Sequence, residues 1–225
     1  MRTARAFLAT TLVAYFFIFD LAQSGFDEDG HIDLLFTGQS NAEVCLGGGN
    51  GGFDCSYNDV GFLHYASDID IGDVNGDGHI DVVLTHDWAE RYNQWCAGDG
   101  MGGLIFCQDF PGDGRNNSSR SVSLGDVDRD YNLDAVFGNQ GKNRVCFGDG
   151  GGGFDCIDVS ENEFGSGDVD LADFNGDHFP DAVFANKGAP EEICIWRQSE
   201  GYECSVMDDD SRNSYYVATN DMNGD

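Results

Sequence analysis

The sequence has few basic residues, few prolines and no long apolar run after residue 19. Only 11 Lys and Arg stand against 41 Asp and Glu, and the resulting net charge of −30 excludes a basic face for nucleic acid, because phosphates would be repelled. The same charge disfavours docking on anionic lipid. Three prolines, 32 glycines and 40% apolar residues are typical of a turn-rich folded protein and not of a disordered chain.

Groups arranged for catalysis are also scarce. No nucleophile with an adjacent base is evident around the five histidines, and His86 with Asp87 is interpreted as part of a surface loop. The glycine-rich turns lack the lysine and the helix of a phosphate-binding loop. The carboxylates belong mostly to the acidic loops described below, so they do not indicate acid–base catalysis. We therefore expect a protein that is not an enzyme.

The N-terminus carries Arg2 and Arg5 ahead of an apolar run over residues 6–19. A membrane-spanning helix needs about 20 apolar residues, so this run is too short. A basic start followed by a short apolar run predicts that residues 1–22 are a secretory signal peptide, cleaved near Ala22. A retained N-terminal anchor is the alternative. The mature chain is predicted to contain no membrane-spanning segment.

An acidic loop of nine residues recurs along the chain. In 73–81 it reads Asp-Val-Asn-Gly-Asp-Gly-His-Ile-Asp, with oxygen-bearing side chains at positions 1, 3, 5 and 9. Calcium takes six to eight oxygens at about 2.3–2.6 Å, and the backbone carbonyl at position 7 can supply another ligand. Copies begin at 25, 73, 126, 173 and 221, at spacings of 48, 53, 47 and 48 residues. A period of this size indicates a propeller or a solenoid.

The predicted calcium ligands are drawn from positions 1, 3, 5, 7 and 9 of these five loops, numbered first to fifth in chain order. They are Asp27, Asp29 and Asp33; Asp73, Asn75, Asp77, His79 and Asp81; Asp126, Asp128, Asp130, Asn132 and Asp134; Asp173, Asn175, Asp177, Phe179 and Asp181; and Asp221, Asn223 and Asp225. The first loop has Gly25 at position 1, which leaves open whether it binds metal.

An EF-hand or dockerin loop shares part of this pattern. Such a loop needs an acidic ligand at position 12 and a helix after it. Position 12 is apolar in all four complete loops, where it is Phe36, Leu84, Phe137 or Phe184, and each loop runs directly into a hydrophobic stretch that predicts a buried strand. Acidic turns without metal are the other alternative, although carboxylates crowded within nine residues repel one another unless a cation lies between them.

The loop Asp-x-Asn-Gly-Asp-Gly-x-x-Asp, followed by an apolar strand at this period, resembles the FG-GAP/VCBS repeats of integrin-α-like β-propellers. The resemblance covers roughly residues 25–225. It implies an all-β fold, a β-propeller of four-stranded antiparallel blades in which the calcium loop joins the first two strands of each blade. Residues 23–225 would then hold four repeats and the start of a fifth, as in an incomplete seven-bladed ring. Closure by four blades is the alternative, with residues 214–220 as a strand that completes the first blade.

Four strands are predicted in each repeat. The second strand is apolar on both faces, as expected inside a sheet, and a glycine-rich turn joins the third and fourth strands. The predicted strands are 68–72, 81–86, 94–97 and 104–109; 120–124, 134–138, 143–147 and 154–159; and 168–172, 181–186, 193–197 and 202–207.

A polar insertion near residues 111–120 contains the glycosylation sequons of Asn116 and Asn117 and is predicted to lie on the surface.

The eight cysteines form one pair per repeat, each bracketing a glycine-rich turn. Facing residues of an antiparallel hairpin lie close enough for a disulfide, so four bridges within hairpins are predicted. Zinc is the competing interpretation, but the spacing is not Cys-x-x-Cys and no histidine recurs beside the pairs. Disulfides imply an oxidising location, either secreted and extracellular or periplasmic and cell-surface. The pairs are Cys45 with Cys55, Cys96 with Cys107, Cys146 with Cys156 and Cys194 with Cys204.

The resemblance implies a calcium-stabilised module for adhesion or for recognition of an extracellular protein or glycan. Two alternatives stay open. The first is a structural subunit of an extracellular assembly or filament, in which copies join through open blade edges. The second is the non-catalytic propeller part of a secreted polysaccharide-active enzyme. Trp95 and Trp196 are predicted to pack on the outer hairpins, with stacking on sugars as the alternative role.

Overall fold

The computed structural model describes residues 25–38, 42–58, 65–87, 91–111, 118–159, 161–198, 200–208, 210–220 and 222. Within these ranges the chain forms strands and turns and no helix, which confirms the all-β prediction. The strands are β1 Leu34–Phe36, β2 Ala42–Gly47, β3 Phe53–Asn58, β4 Asp68–Gly72, β5 Asp81–Thr85, β6 Gln94–Gly98, β7 Leu104–Asp109, β8 Ser119–Gly125, β9 Asp134–Asn139, β10 Arg144–Gly148, β11 Phe154–Asp158, β12 Ser166–Ala172, β13 Asp181–Ala189, β14 Glu192–Arg197, β15 Gly201–Val206 and β16 Arg212–Asn213.

The strands form four antiparallel sheets that follow one another along the chain. The sheet orders are β1-β2-β3, β4-β5-β6-β7, β8-β9-β10-β11 and β12-β13-β14-β15, and β16 pairs with β13. The first strands β4, β8 and β12 of consecutive sheets are neighbours, so each sheet is a blade and these strands lie innermost. The structure confirms a β-propeller architecture, and the predicted strands agree with the observed ones to within a few residues.

The second strands of the second and third blades, β5 and β9, are buried because each faces a neighbouring blade on both sides. Val82 and Leu84 of β5 pack into one cluster with Leu35 and Val44 of the first blade. The intervening Val83 packs into a second cluster, with residues of the third blade such as Phe137. Adjacent blades are therefore held together by side chains that alternate along one strand. Full burial of such a side chain contributes about 1.5–3 kcal/mol.

Carboxylates on the innermost strands add directed contacts between neighbouring segments. Asp68 Oδ2 of β4 accepts the backbone N–H of Val122 at 3.0 Å, and Asp70 Oδ2 accepts that of Leu124 at 2.7 Å. The first strand of the third blade is thus docked on aspartate side chains of the second. The same arrangement recurs at β12, where Asp168 and Asp170 accept the N–H groups of Val217 and Thr219 at 2.9 and 2.7 Å.

Residues 214–220 do not form the strand that the sequence predicted. They lie along β12 through the contacts of Val217 and Thr219, while Arg212–Asn213 forms the short strand β16 on β13. The contacts with Asp168 and Asp170 run to side-chain carboxylates and form no ladder, and within the described residues no strand pairs with 214–220; β8, which makes the same contacts with β4, is a strand because it pairs with β9. The position of residues 214–220 relative to β12 matches that of β8 relative to β4.

The four predicted disulfides are confirmed, and each joins the third and fourth strands of a blade; in the three-stranded first sheet β1, β2 and β3 correspond to the second, third and fourth strands of the other blades. The bridge between Cys96 and Cys107 spans 11 residues where the others span 10, because the pairing of β6 with β7 shifts register between Cys96 and Gly98. Cys107 still lies directly opposite Cys96 and packs against the core shared by the first two blades. The observed bridges are Cys45 with Cys55, Cys96 with Cys107, Cys146 with Cys156 and Cys194 with Cys204.

The tryptophans beside these bridges are buried. The Trp95 ring lies 5.5 Å from the Phe106 ring, and the Trp196 ring lies 5.1 Å from that of Tyr202. Both tryptophans therefore pack on the outer hairpins, as predicted, and neither presents a face for sugar stacking.

Several predictions concern residues outside the described ranges. They are the segment 1–22, the sequons at Asn116 and Asn117, and the fifth-loop ligands Asp221, Asn223 and Asp225, all of which stay predictions. In the part of the chain that is described, no helix has the length and apolar character needed to cross a membrane.

Replacing Cys146 and Cys156 together with alanine should lower the free energy of unfolding by about 2–3 kcal/mol, because a bridge across ten residues restricts the unfolded chain. Chemical denaturation monitored by tryptophan fluorescence measures the loss. The wild-type protein unfolded under a thiol reductant is the control, and it should be at least as unstable as the variant. Peptide mapping of unreduced protein that finds free thiols, or bridges between blades, would contradict the pairing.

Candidate metal centres

The acidic loops lie at one end of the blades. The second, third and fourth loops join β4 to β5, β8 to β9 and β12 to β13, and the first loop precedes β1. The hairpin between the third and fourth strands lies at the same end, because antiparallel strands alternate in direction. Position 7 of the loop contacts this hairpin: a Cβ added at Gly100 would meet the His79 ring, and one added at Gly150 would meet Asn132.

In the second and fourth loops the backbone curls around the side chain at position 1. Asp73 Oδ1 accepts the N–H of Gly76 at 2.7 Å and its Oδ2 accepts that of Gly78 at 3.0 Å. Asp173 accepts the N–H groups of Gly176 and His178 at 2.7 and 2.9 Å. These bonds turn the carboxylates inward over the loop, as a cation-binding loop requires.

Positions 3 and 5 are also fixed by the backbone. Asn75 Oδ1 accepts the Asp77 N–H at 2.9 Å, and Asp77 Oδ1 accepts the His79 N–H at 2.9 Å. The fourth loop repeats both bonds with Asn175 and Asp177. An ionised carboxylate has about four acceptor sites and an amide oxygen has two lone pairs, so the Asp and Asn side chains each retain a lone pair for a metal.

The third loop shows that the donor set fits calcium. Asp126, Asp128 and Asp130 each offer one oxygen, and these oxygens all lie within 4.8 Å of one another. Oxygens that surround one calcium ion at about 2.3–2.6 Å are at most about 5 Å apart, so the three can share an ion. Burial raises the pKa of Asp128, and the neighbouring charge of Asp130 raises it further; only the second effect reports on acidic groups converging on one point.

Position 9 has a structural role that the sequence did not reveal. Asp134 is fully buried; its Oδ2 accepts the N–H of Val127 at 2.7 Å and its Oδ1 accepts that of Gly148 at 2.9 Å. The carboxylate therefore ties position 2 of the loop to the end of the third strand. The other blades repeat this clamp: Asp33 with Phe26 and Gly47 (2.5 and 2.7 Å), Asp81 with Val74 and Gly98 (3.0 and 2.9 Å), and Asp181 with Phe174 and Trp196 (2.9 and 2.8 Å).

Burial raises the pKa of three of these carboxyl groups and so makes them weaker acids. It raises the pKa of Asp134 to about 7 and that of Asp81 to about 6, although the two backbone bonds on each group oppose the shift. Burial also raises the pKa of Asp181. A nearby divalent cation would favour the ionised form of each carboxylate, so a metal in the loop and the clamp at position 9 are electrostatically compatible.

The first loop has a different donor set. A Cβ at Gly25, where φ is +70°, would lie 2.6 Å from Asp33 Oδ2 and 2.8 Å from the His31 carbonyl oxygen, so no side chain fits at position 1. The loop still curls, because Asp27 Oδ1 accepts the Asp29 N–H at 3.1 Å and Asp29 Oδ1 accepts the His31 N–H at 2.8 Å. It keeps its shape with oxygen-bearing side chains at three of the positions 1, 3, 5 and 9, where the second, third and fourth loops have all four.

One sequence signal for the clamp was present. The third strands of the first three blades carry glycine two residues after cysteine, at Gly47, Gly98 and Gly148. A Cβ at each would strike the backbone carbonyl at position 8 of the loop, so only glycine lets the strand approach the buried aspartate this closely. The fourth blade departs from this pattern, because it has Trp196 at this position. The backbone N–H of Trp196 still donates to Asp181 Oδ1.

The interpretation of His86 as a surface-loop residue is wrong. His86 is buried, its Nδ1 donates to the Tyr92 carbonyl oxygen at 2.9 Å, and its N–H donates to Asn93 Oδ1 at 3.2 Å. The neighbouring Asp87 carboxylate accepts hydrogen bonds from Gln140 Nε2 and from Arg120 Nε, the latter at 3.2 Å. Asp87 thus faces the next blade through its own carboxylate.

Two further clusters pair a glutamate with cysteines, namely Glu43 with Cys45 and Cys55, and Glu192 with Cys194 and Cys204. In both the sulfur atoms are joined in a disulfide. They are not thiolates, so these clusters are not zinc sites. The same holds for the bridged sulfurs of Cys96 and Cys107.

The FG-GAP-like repeat model matches residues 25–84 and 73–137, which together span half of the chain. The chain belongs to the FG-GAP-like repeat family. Both matches include acidic loops and the strands that follow them, so they cover the repeat described above. No curated protein sequence matches this FG-GAP chain.

Three solved structures are similar to the FG-GAP chain. A lectin of Agrocybe aegerita, described as recognising non-reducing terminal N-acetylglucosamine, is 17% identical with a TM-score of 0.58, over 82% of this chain and 51% of its own. The Vibrio cholerae biofilm matrix protein Bap1 is 17% identical with a TM-score of 0.49, over 80% and 26%. A Photorhabdus luminescens Tc holotoxin pore is 15% identical with a TM-score of 0.49, over 78% and 9%. The FG-GAP chain spans about half the length of the lectin.

Replacing Asp134 with Asn should cost about 1–3 kcal/mol of stability with or without calcium, because one carboxylate oxygen becomes an NH2 donor that faces a backbone N–H. Asp130→Asn, the matched control at exposed position 5, should reduce stability only when calcium is present. Thermal unfolding in calcium and in chelator measures both variants. An equal loss of stability in the two variants, measured in chelator, would refute the structural role of Asp134.

Proposed function

We propose that this chain is the calcium-binding β-propeller part of an extracellular recognition or adhesion protein and is not itself catalytic. The observation that carries the calcium proposal is the third loop, where Asp126, Asp128 and Asp130 converge within 4.8 Å. The second and fourth loops repeat the same curled backbone around inward-facing carboxylates. Calcium suits such a set because it prefers several oxygen ligands.

Charge supports the calcium proposal independently. The chain has a net charge of −30, and its loops place several carboxylates within nine residues of one another. Each bound calcium ion would offset two of these charges. The unfolded chain has no preformed site, so the binding free energy of the metal would add to the stability of the blades.

The disulfides support a location outside the reducing cytosol. Each described blade carries one bridge, and no cysteine is left as a free thiol among the described residues. Such bridges persist in secreted, periplasmic or cell-surface proteins. Calcium is abundant in many extracellular media, so the two proposals are consistent.

The loop end of the blades is the proposed recognition face. It exposes Tyr131 (96% accessible), Met101 (75%) and Ile32 (51%). Tyr131 also adopts φ of +74°, a conformation that is unfavourable for a residue with a Cβ, and the second loop has Gly78 at the equivalent position. An aromatic ring displayed in this way suits a binding contact, because tyrosine is enriched among residues that anchor interfaces. The A. aegerita lectin recognises a terminal sugar, so a glycan is the first ligand class to test.

One observation favours the alternative of a structural subunit. The outer strand β7 exposes Ile105 and Phe106, which are 57% and 48% accessible. Apolar side chains on an edge strand favour pairing with another copy. The third alternative, a non-catalytic propeller attached to a polysaccharide-active enzyme, has the same recognition face.

Replacing Asp77 with Ala should lower the melting temperature measured in calcium and reduce the shift produced by chelator, because one charged ligand of the second loop is lost. A site at 100 times its dissociation constant contributes about 2.7 kcal/mol, and that sets the scale of the loss. Asp54→Ala on exposed strand β3 controls for the change of charge. A wild-type melting temperature that is the same in calcium and in chelator would refute calcium binding.

Replacing Tyr131 with Gly should weaken ligand binding at least tenfold while preserving the melting temperature, since glycine relieves the unfavourable backbone. A glycan array probed with the wild-type chain, the variant and the wild type in chelator measures binding. Binding that is unchanged in the variant would place the recognition face elsewhere. Concentration-dependent filaments without glycan or protein binding would instead support the structural-subunit alternative.

A further inference from the structure

Neighbouring calcium loops touch through position 4 of one loop and position 7 of the next. The Glu28 carboxylate of the first loop lies 2.5 Å from His79 Nδ1 of the second loop. The Arg129 guanidinium of the third loop lies over the Phe179 ring of the fourth, 5.4 Å from its centroid. One contact is a hydrogen bond between a carboxylate and an imidazole and the other is a cation–π contact, yet both join the same two positions across a blade junction.

The backbone at position 4 shows that these side chains are retained against a conformational preference. Glu28 and Arg129 have φ of +61° and +62°, in the left-handed region that side chains with a Cβ rarely adopt. The second and fourth loops have Gly76 and Gly176 at this position, also with positive φ. Glycine would serve the turn equally well, so the loop geometry alone does not account for a glutamate and an arginine.

The junction between the second and third blades is the internal contrast. A Cβ on Gly76 would lie 2.5 Å from the Gly150 carbonyl oxygen, so no side chain fits there. At that junction backbone packs against backbone. Among the described blades there are therefore two junctions with a side-chain contact at position 4 and one without.

Position 7 is where such a contact affects a metal site. The residue at position 7 supplies the backbone carbonyl expected to bind calcium, and in the second loop its N–H also donates to Asp77 at position 5. A side chain that holds position 7 thereby holds two ligand positions. We propose that Glu28 and Arg129 are positioning residues for the calcium sites of the second and fourth loops, although each belongs to the preceding loop.

This inference rests on the proposed calcium binding and gives the first loop a role. Lacking a carboxylate at position 1, it offers fewer ligands than its neighbours, but its Glu28 fixes the loop that follows. The calcium sites are then not independent: the affinity of a loop depends on a residue supplied by the blade before it.

The test is a calcium titration of the full chain followed by amide NMR, in which Gly78 reports on the second loop and Gly176 on the fourth. Contacts of this exposed kind are worth a fewfold change in affinity. Glu28→Gly should weaken binding at Gly78 about threefold and leave Gly176 unchanged. Arg129→Gly should weaken binding at Gly176 about threefold and leave Gly78 unchanged. Each variant thus contains its own control loop.

The two variants also separate positioning from general electrostatics. Removing the arginine makes the protein more negative, so electrostatics alone would strengthen calcium binding everywhere, whereas positioning requires weaker binding in the fourth loop. Arg129→Lys, which keeps a cation over Phe179, should restore most of the affinity. Unchanged or tighter binding at Gly176 in Arg129→Gly would overturn the inference. A wild-type titration that moves neither amide would instead refute the proposed calcium binding.

Discussion

Each described blade of this protein rests on one buried carboxylate that accepts two backbone N–H groups. Asp33, Asp81, Asp134 and Asp181 stand at the start of the second strand, and each joins the acidic loop to the end of the third strand. A backbone amide buried without a partner is costly, so the two donors and the one acceptor stabilise each other. The corner of the blade, the glycine at the end of the third strand and the entry to the loop all follow from this contact.

The same contact creates an electrostatic problem that calcium would solve. A carboxylate held in the interior carries a desolvation cost, which is visible in the raised pKa of Asp134 and Asp81. The remaining loop carboxylates lie on the exposed side of the same turn and add repulsion. A divalent cation in the loop would favour the ionised form of all of them. Bound extracellular calcium, as proposed, would therefore offset both the desolvation cost and the repulsion.

Much of the fold could be predicted from the sequence because its determinants are local and repeated. Loop spacing, apolar second strands and paired cysteines each recur once per blade, and the structure places them as expected. The contacts between blades could not be predicted in the same way. Asp68 and Asp70 alternate along a strand, as solvent-facing residues do, yet they accept N–H groups from residues 54 positions away. The burial of His86 could not be predicted either, because its partner Tyr92 lies six residues along the chain and is brought close only by the fold.

The differences between the repeats are therefore more informative about function than their shared features. The common pattern builds a blade and its proposed metal loop, and it explains residues such as Gly76 and Asp73. It does not explain a glutamate or an arginine at position 4, or a tyrosine at position 6, because glycine meets the backbone requirement at each of these places. Side chains kept in an unfavourable backbone conformation need a compensating contact. For Glu28 and Arg129 that contact is the next blade. For Tyr131 the backbone N–H bonds Asp126 Oδ2 at 3.1 Å, as that of Gly78 bonds Asp73; this contact supports the turn with either residue and leaves the exposed ring for the proposed ligand.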